Sequence, residues 1–234
     1  MRLPYINMIF LNFVTKIYYI CNENIFKNQM QSSEKQIEMF LLERRKGKIY
    51  FTSDFRYLVP ESAIRMALSR LVKNKTLIRL AQGIFYYPKT DRKTGITLLP
   101  SIEDIAEALA KRDKARIVPT GAYAMNKLGL STQVPMKVVF LTDNVPRKVK
   151  VGRTWISFQK AATKNFAYKS YVTMLASFAL SEIGKDNVTT HDIEKIASVL
   201  LQEDKEKIKK DMALMPAWIR KIIENMIYGN KQMA

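Results

Sequence analysis

The chain has little of the residues that build disulfide frameworks and metal centres. Its 234 residues include one cysteine, Cys21, and one histidine, His191. A single cysteine excludes an intrachain disulfide and a multi-thiolate zinc site, and a single histidine excludes sites that need two imidazole ligands. Eight glycines and eight prolines are too few for a collagen-like or linker-dominated chain. The simplest interpretation is a protein of a reducing compartment, and we expect it in the cytoplasm.

Acidic residues are scarce relative to basic ones. The chain carries 39 Lys or Arg against 21 Asp or Glu, which gives a formal net charge of +18. Residues 30–100 hold 14 basic and 6 acidic side chains, residues 101–170 hold 13 and 5, and residues 171–234 hold 9 of each. An excess of this size favours a polyanionic partner, nucleic acid before membrane. Solubility charge in a lysine-rich proteome is the alternative.

Residues 1–29 contain an apolar run that is too short to span a membrane. Polar residues from Asn7 to Lys16 interrupt the run over residues 3–20, whereas a spanning helix needs about 20 consecutive apolar residues. The segment also lacks the basic cluster and small-residue cleavage site of a signal peptide. We expect an upstream extension, of the kind that a mis-chosen start codon before Met30 produces. The alternative is a short membrane-surface or partner-binding helix.

Residues 30–90 show the element order of a winged helix-turn-helix. Helical spacing predicts a first helix from Ser33, followed by a short strand at residues 48–51. Residues 52–54 then offer N-caps for a brief helix through Phe55 and Leu58. A third helix is predicted from Pro60 to about Val72. Two strand-like runs joined through a glycine turn then predict a hairpin.

In a winged helix-turn-helix the third helix enters the major groove of DNA. The residues that we expect to contact duplex DNA are Ser62, Arg65, Ser69, Arg70, Lys73, Lys75 and Arg79. The two serines and the first two arginines would reach base edges or phosphates, and the remaining three would contact phosphates beside the wing. The alternative is a winged helix that serves only as a protein-interaction module.

The rest of the chain predicts a mixed domain and a helical tail. Asp91–Gly95 is polar and is the best linker candidate. Residues 91–170 alternate helical and strand-like patterns, and residues 171–234 are helical, with a break at Pro216. With 47% hydrophobic residues, the chain has material for one large or two small domains. The expected fold class is α+β, with an N-terminal winged helix-turn-helix, a mixed α+β domain and a helical C-terminal region.

A second group of basic residues lies in the mixed domain. Its members are Lys137, Arg147, Lys148, Lys150 and Arg153, with Lys160 nearby in sequence. They could present a second positive surface to an anionic target such as RNA, or to an acidic protein. The alternative is that they solvate a sheet edge, where charge discourages unwanted strand pairing.

No residue pattern supports an enzyme. The chain lacks a phosphate-binding loop, a dinucleotide fingerprint and an HExxH motif. His191–Asp192 stands at a helix start without a nucleophile motif, and the acids at residues 103–107 lie in a first helical turn, where they are favoured anyway. We therefore expect no catalytic residue, no metal and no cofactor.

Four segments together resemble the AbiEi-type antitoxins. They are AIRMALSRL at residues 63–71, IRLAQGIFY at 78–86, PTGAYAMNKLGLSTQVP at 119–135 and VFLTD at 139–143. The resemblance covers about residues 32–170, and the third segment is its most specific part. It implies a type IV toxin–antitoxin protein of abortive infection, a form of phage defence. Its winged helix would repress its own operon at inverted repeats, and its second domain would act as the antitoxin.

The implied partner is a nucleotidyltransferase toxin of the AbiEii kind, countered without a stable toxin–antitoxin complex. From the sequence we therefore expect a cytoplasmic, non-enzymatic, DNA-binding antitoxin and autorepressor. One rival is a plain transcription regulator whose second domain senses a ligand or partner. The other is a DNA-targeted nuclease. A nucleotidyltransferase-like neighbouring gene would favour the antitoxin over both.

Overall fold

The fold is mixed α+β and consists of two compact units, with the boundary between Leu99 and Pro100. The computed structural model describes residues 32–133 and 135–229. Residues 1–29, where we expect an extension, therefore lie outside the described residues. None of the helices in the described ranges combines the length and the hydropathy that crossing a bilayer requires.

The first unit combines two helices with a three-stranded antiparallel sheet and a small hairpin. Its elements are α1 Ser33–Leu42, β1 Lys48–Phe51, a 3-10 turn Thr52–Phe55, α2 Glu61–Lys73, β2 Ile78–Ala81, β3 Ile84–Tyr87, β4 Lys89–Thr90 and β5 Thr97–Leu98. The sheet order is β1-β3-β2, with β3 paired to both neighbours. Asp91–Gly95, the expected linker, connects β4 to β5, so the first unit continues to Leu99.

Local chemistry explains where these elements start. The Ser32 hydroxyl caps α1 by accepting a hydrogen bond from the backbone N–H of Lys35 at 3.3 Å. Pro60 precedes α2 and Glu61 lies in its first turn, where a carboxylate is favoured. Gly83 has φ +71° in the β2–β3 turn, a conformation that glycine adopts without strain.

The core of the first unit fixes which side of α2 faces solvent. It is formed by Ile37, Leu41, Tyr50, Phe55, Val59, Ile64, Ala67, Leu68, Leu71, Leu77, Phe85 and Tyr87. Four of these residues belong to α2, at the helical spacing that the sequence predicted for its inner face. The brief helix expected through Phe55 and Leu58 is a 3-10 turn that ends at Phe55, and the buried Phe55 ring anchors it in the core.

The second unit contains a four-stranded sheet and six α-helices among its described residues. Its elements are α3 Ile102–Arg112, β6 Ile117–Thr120, α4 Ala122–Lys127, β7 Lys137–Thr142, β8 Arg147–Val151, β9 Thr154–Lys160, α5 Tyr171–Ile183, α6 Thr190–Leu200, α7 Lys205–Asp211 and α8 Ala217–Tyr228, with 3-10 turns at Thr163–Phe166, Lys185–Asn187 and Met212–Leu214. The sheet order is β6-β7-β9-β8; β7 and β9 are parallel, and the other two pairs are antiparallel.

Helix α5 joins the sheet to the C-terminal helices. One side of α5 packs with Ala124 of α4 through Met174, Leu175 and Phe178. Its other side packs through Ala176 and the neighbouring Leu180 against α6, α7 and α8. The C-terminal helices, which we expected as a separate region from residue 171, are therefore part of one compact unit with the sheet. Pro216 separates α7 from α8, as predicted.

Candidate nucleic-acid interface

The outward side of α2 carries the polar residues that the sequence singled out. Ser62, Arg65, Ser69 and Arg70 are all exposed, while Ile64 and its buried neighbours hold the opposite side in the core. Ser62, Arg65 and Ser69 follow one another at helical spacings of three and four residues, so they form one stripe. This stripe projects away from the core and is available to a partner.

The start of α2 and the β2–β3 hairpin border a groove of about 590 Å³. Its lining residues are Thr52, Arg56, Glu61, Arg65, Leu68, Arg79, Gln82, Gly83 and Phe85. Three arginines and one glutamate therefore line one concave surface. That carboxylate is neutralised locally, because Glu61 Oε1 lies 3.2 Å from Arg56 Nη2. The groove is consequently suited to an anion.

The two arginines of α2 have different electrostatic surroundings. Arg70 Nη1 lies 3.9 Å from Glu34 Oε2 on α1, and Asn74 donates a hydrogen bond to the same carboxylate at 2.9 Å. No carboxylate in the described ranges forms an ion pair with Arg65. Arg65 is therefore the freer of the two to bind an external partner.

The hairpin places Arg79 on an outer strand of the sheet. Its guanidinium carbon lies 5.5 Å from the ring centre of Phe85 on β3, and the Arg79 side chain packs over this ring. The strand is irregular between Arg79 and Ala81, and the chain reverses at Gly83. A Cβ at Gly83 would meet the Thr52 hydroxyl at 3.3 Å, so the turn sits closely against the start of the 3-10 turn.

Lys73 is the last residue of α2, and Lys75, just beyond the helix, borders a groove other than the first. Lys73 is exposed in the last helical turn, and Lys75 has φ +61°, in the left-handed region that favours glycine. Lys75 borders a second groove of about 490 Å³, together with Arg79 and Pro88. The seven predicted residues therefore do not share a single pocket. Arg65 and Arg79 share the first groove, and Lys75 and Arg79 share the second.

The sequence reasoning missed Arg56 and Gln82, which line the first groove. Arg56 is an exposed residue directly after Phe55, the buried anchor of the 3-10 turn. Gln82 lies in the two-residue turn between β2 and β3. An exposed cation next to an apolar anchor and a polar residue beside Gly83 were the available signals. Because both residues lie outside α2 in the sequence, the sequence alone did not show that they line the same groove as Arg65.

The second basic group does not form one surface. Lys148 and Lys150 are exposed, whereas Arg147, which precedes them on β8, points to the opposite face. There Arg147 forms an ion pair with Asp113, and its guanidinium carbon lies 5.1 Å from the ring centre of Phe158. Burial lowers the pKa of Arg147, and the Asp113 carboxylate opposes that shift. Arg147 therefore lies on the other face of β8 from Lys148 and Lys150.

The remaining members of that group are exposed. Lys137 begins β7, Arg153 lies in the β8–β9 turn and Lys160 ends β9. The strand register brings Lys137 and Lys150 to opposite sides of Trp155. Lys137, Lys148 and Lys150 thus form the coherent part of the expected second basic surface.

The acids near the start of α3 are engaged within the protein. Glu103 accepts a hydrogen bond from the Tyr171 hydroxyl at 3.0 Å and pairs with Lys127. Burial and the Glu103 carboxylate together raise the pKa of Tyr171. Asp104 caps its own helix through Ser101. In the described part of the chain, no group of His, Cys, Asp and Glu side chains is arranged to hold a metal ion.

The His191–Asp192 pair also has a local explanation. The Asp192 carboxylate accepts hydrogen bonds from the backbone N–H and the hydroxyl of Thr189, at 3.0 and 2.7 Å, and closes a capping box at the start of α6. His191 is exposed in the same turn. The arrangement stabilises a helix start.

Comparison with known proteins places both units in one family. No curated protein matches the chain. The profile of a family described as a family of unknown function (DUF6088) matches residues 36–208. The match begins within α1 and ends within α7, so it includes the α2 groove and the whole four-stranded sheet. The chain therefore belongs to the DUF6088 family.

Proposed function

We propose that residues 30–90 form a winged helix-turn-helix that binds duplex DNA. In this proposal α2 is the recognition helix and the β2–β3 hairpin is the wing. One observation carries it: Arg65, in the middle of the exposed polar stripe on α2, lines one groove together with Arg56 and with Arg79 of the hairpin. An α-helix fits into the major groove of DNA, and arginine side chains beside it can bind both phosphates and the edges of guanine bases.

The roles of the side chains follow from their positions. Arg65, in the middle of the exposed stripe and free of an internal ion pair, reads a base edge. Ser62 and Ser69, one turn to either side, contact bases or phosphates. Lys73, Lys75 and Arg79 bind phosphates along the flanks of the helix and the wing. Arg70 remains attached to Glu34 and contributes mainly to the positive potential.

We propose further that the chain is an antitoxin that represses its own operon and counters a nucleotidyltransferase toxin in the cytoplasm. The resemblance of residues 119–135 to the AbiEi-type antitoxins supports this role. That segment includes the end of β6 and the whole of α4, which pack against α5 within the second unit. The toxin would be countered without a stable complex, and the operator would be an inverted repeat.

The DNA-binding proposal is tested with the duplex upstream of the chain's own gene and a shuffled duplex of equal length. The full chain should bind the upstream duplex more tightly, and the preference should disappear in Arg65→Ala. Equal affinity for both duplexes at every salt concentration would contradict recognition of an operator.

The antitoxin proposal is tested by co-expression with the product of the adjacent gene. If that product arrests growth, the full chain should restore growth. The Arg65→Ala variant, expressed from an unrelated promoter, should also restore growth. Its expression then does not depend on operator binding, and the proposal assigns toxin control to the second unit. Continued arrest in the presence of folded chain would contradict the antitoxin role without affecting the DNA-binding proposal.

A further inference from the structure

The sheet of the second unit exposes an aromatic ring between lysines. Trp155 on β9 is 43% exposed, and its register partners are Lys137 on β7 and Lys150 on β8. Because neighbouring strands lie about 4.8 Å apart, the two lysine backbones are about 10 Å apart and straddle the indole. Lys150 Nζ lies 5.7 Å from the centre of the Trp155 ring. Lys148 lies opposite Ser157, one step further along the same face.

This face is covered at one end and open at the other. On the β6–β7 side, Val118 and Leu141 pack against the helical cluster of Met174, Leu175 and Phe178. On the β8–β9 side, Lys148 and Trp155 are exposed. We refer to Lys137, Lys148, Lys150, Trp155 and Gln159 as the Trp155 face.

The segment that holds most of this face carries charge of one sign. Residues 144–181 contain seven Lys or Arg and no Asp or Glu. No salt bridge in the described ranges involves Lys137, Lys148 or Lys150. The positive potential of the face is therefore not cancelled by nearby carboxylates of the same segment, and it is complementary to a polyanion.

We propose that the Trp155 face binds single-stranded RNA. An exposed indole between cations is a platform for an unpaired base, whereas the bases of a duplex are hidden in their own stack. Lys137 and Lys150 bind the phosphates on either side of the stacked nucleotide. Gln159 is exposed on the same face, about 13 Å from Trp155 along β9 and beyond the buried Ser157. It supplies an amide for the 2′-hydroxyl of a nucleotide further along the RNA, not of the one stacked on Trp155. This activity is independent of duplex recognition by the first unit.

The position of the indole allows a direct test by tryptophan fluorescence. The chain has two tryptophans, Trp155 and Trp218, and the second belongs to the C-terminal helical cluster. An oligouridylate of about 12 nucleotides should quench the fluorescence of the full chain by stacking on Trp155. The Trp218→Phe variant should keep the quenching, and the matched Trp155→Phe variant should lose it. Quenching that survives in Trp155→Phe would overturn the proposal.

A second measurement does not depend on substitution of the aromatic ring. In fluorescence anisotropy with the same labelled oligouridylate, the Lys148→Glu/Lys150→Glu variant should bind at least about tenfold more weakly. Lys207→Glu/Lys210→Glu on α7 makes the same change in net charge at exposed positions and should weaken binding by less than about threefold. Equal losses in the two variants would reduce the effect to overall charge and overturn the assignment of a site.

The kind of nucleic acid is decided by matched probes. An oligodeoxyuridylate of equal length differs from the RNA by its missing 2′-hydroxyls and should bind severalfold more weakly. Equal or tighter binding of the deoxy strand would overturn the assignment to RNA. Arg65→Ala should leave RNA affinity unchanged. Loss of duplex binding in Lys148→Glu/Lys150→Glu, with RNA binding intact, would instead make this face part of the duplex interface.

Discussion

At the scale of single residues, the candidate interface depends on the difference between Arg65 and Arg70. Both guanidinium groups are exposed on α2, but Arg70 lies 3.9 Å from the carboxylate of Glu34. A partly paired arginine must exchange an internal contact for an external one, so its net contribution to binding is smaller. Comparing substitutions at the two residues therefore distinguishes base recognition from a general contribution of positive charge.

We predict that Arg65→Ala lowers affinity for the preferred duplex by about 1–3 kcal/mol, and that the loss depends on the base pair it contacts. Arg70→Ala should cost less than about 1 kcal/mol and affect all duplexes equally. Arg92→Ala, the same charge change in the β4–β5 turn, serves as the control. Fluorescence anisotropy with single-base variants of the duplex measures all three. Equal losses for Arg65 and Arg70 would contradict a reading role for Arg65.

Lys75 has an unfavourable backbone conformation, and its side chain carries a charge that we assign to phosphate binding. Its φ of +61° is one of two such values among the described non-glycine residues, and the other is +52° at exposed Lys114. Glycine adopts this conformation without a Cβ conflict. The two lysines therefore form a matched pair, one in the candidate interface and one in the second unit.

We predict that Lys75→Gly and Lys114→Gly each stabilise the unit that contains them by about 0.5–1 kcal/mol. Lys75→Gly should also weaken duplex binding and reduce its salt dependence by about one counterion, because one phosphate contact is lost. Lys114→Gly should leave duplex affinity unchanged. Urea unfolding and anisotropy at several salt concentrations measure both effects. Unchanged duplex binding by Lys75→Gly would exclude its phosphate contact.

At the scale of elements, the start of α5 depends on a carboxylate from α7. Asp211 is 1% exposed and accepts hydrogen bonds from the backbone N–H groups of Lys169 and Ser170, at 2.7 and 2.9 Å. The hydroxyl of Ser170 caps α5 by accepting from the N–H of Thr173 and donates to Glu203. These contacts connect the start of α5 to α7 and to Glu203, which precedes α7.

We predict that Asp211→Ala destabilises the second unit by about 2–4 kcal/mol, because two poorly solvated N–H groups lose their acceptor. Asp211→Asn keeps one acceptor oxygen and should cost less. Asp204→Ala removes an exposed cap at the start of α7 and should cost about 1 kcal/mol. Urea unfolding monitored by circular dichroism compares the three variants. A cost for Asp211→Ala no larger than that for Asp204→Ala would contradict the connecting role.

Much of the element pattern could be predicted from the sequence. The buried face of α2, the break at Pro216 and the strand over residues 147–151 follow from apolar spacing and from proline chemistry, which act over a few residues. The contacts of a side chain could not be predicted where its partner is distant in the sequence. Arg147 was grouped with its neighbours on β8, because its partner Asp113 is 34 residues earlier in the sequence.

At the scale of the whole molecule, the positive charge is divided between the two units. Residues 30–100 and residues 101–170 each carry an excess of eight positive charges, whereas residues 171–234 are neutral. The first excess includes Arg56, Arg65 and Arg79 of the α2 groove, and the second includes the lysines of the Trp155 face. Since counterion release depends on the number of phosphates contacted, the two units should show separate salt dependences.

We predict that duplex binding by the full chain falls on the order of 10³-fold between about 50 and 200 mM salt. Lys75→Gly/Arg79→Ala should reduce the slope of log affinity against log salt, since both residues are assigned to phosphates and fewer phosphates are then neutralised. The Lys207→Glu/Lys210→Glu variant should keep the slope of the original chain. Anisotropy titrations at four or more salt concentrations give these slopes. An affinity that does not vary with salt would remove the argument from charge.

The order of the four-stranded sheet has a consequence for how the second unit folds. Strand β9 lies between β7 and β8, although β8 precedes it in sequence. The antiparallel β8–β9 pair closes through a turn of two residues, Gly152 and Arg153, while the parallel β7–β9 pair must close a longer loop that contains all of β8. Closing the shorter loop costs less chain entropy, so the hairpin is favoured to form first and then dock on β7 as a preformed ribbon. Mutations in that turn should therefore slow refolding more than they accelerate unfolding.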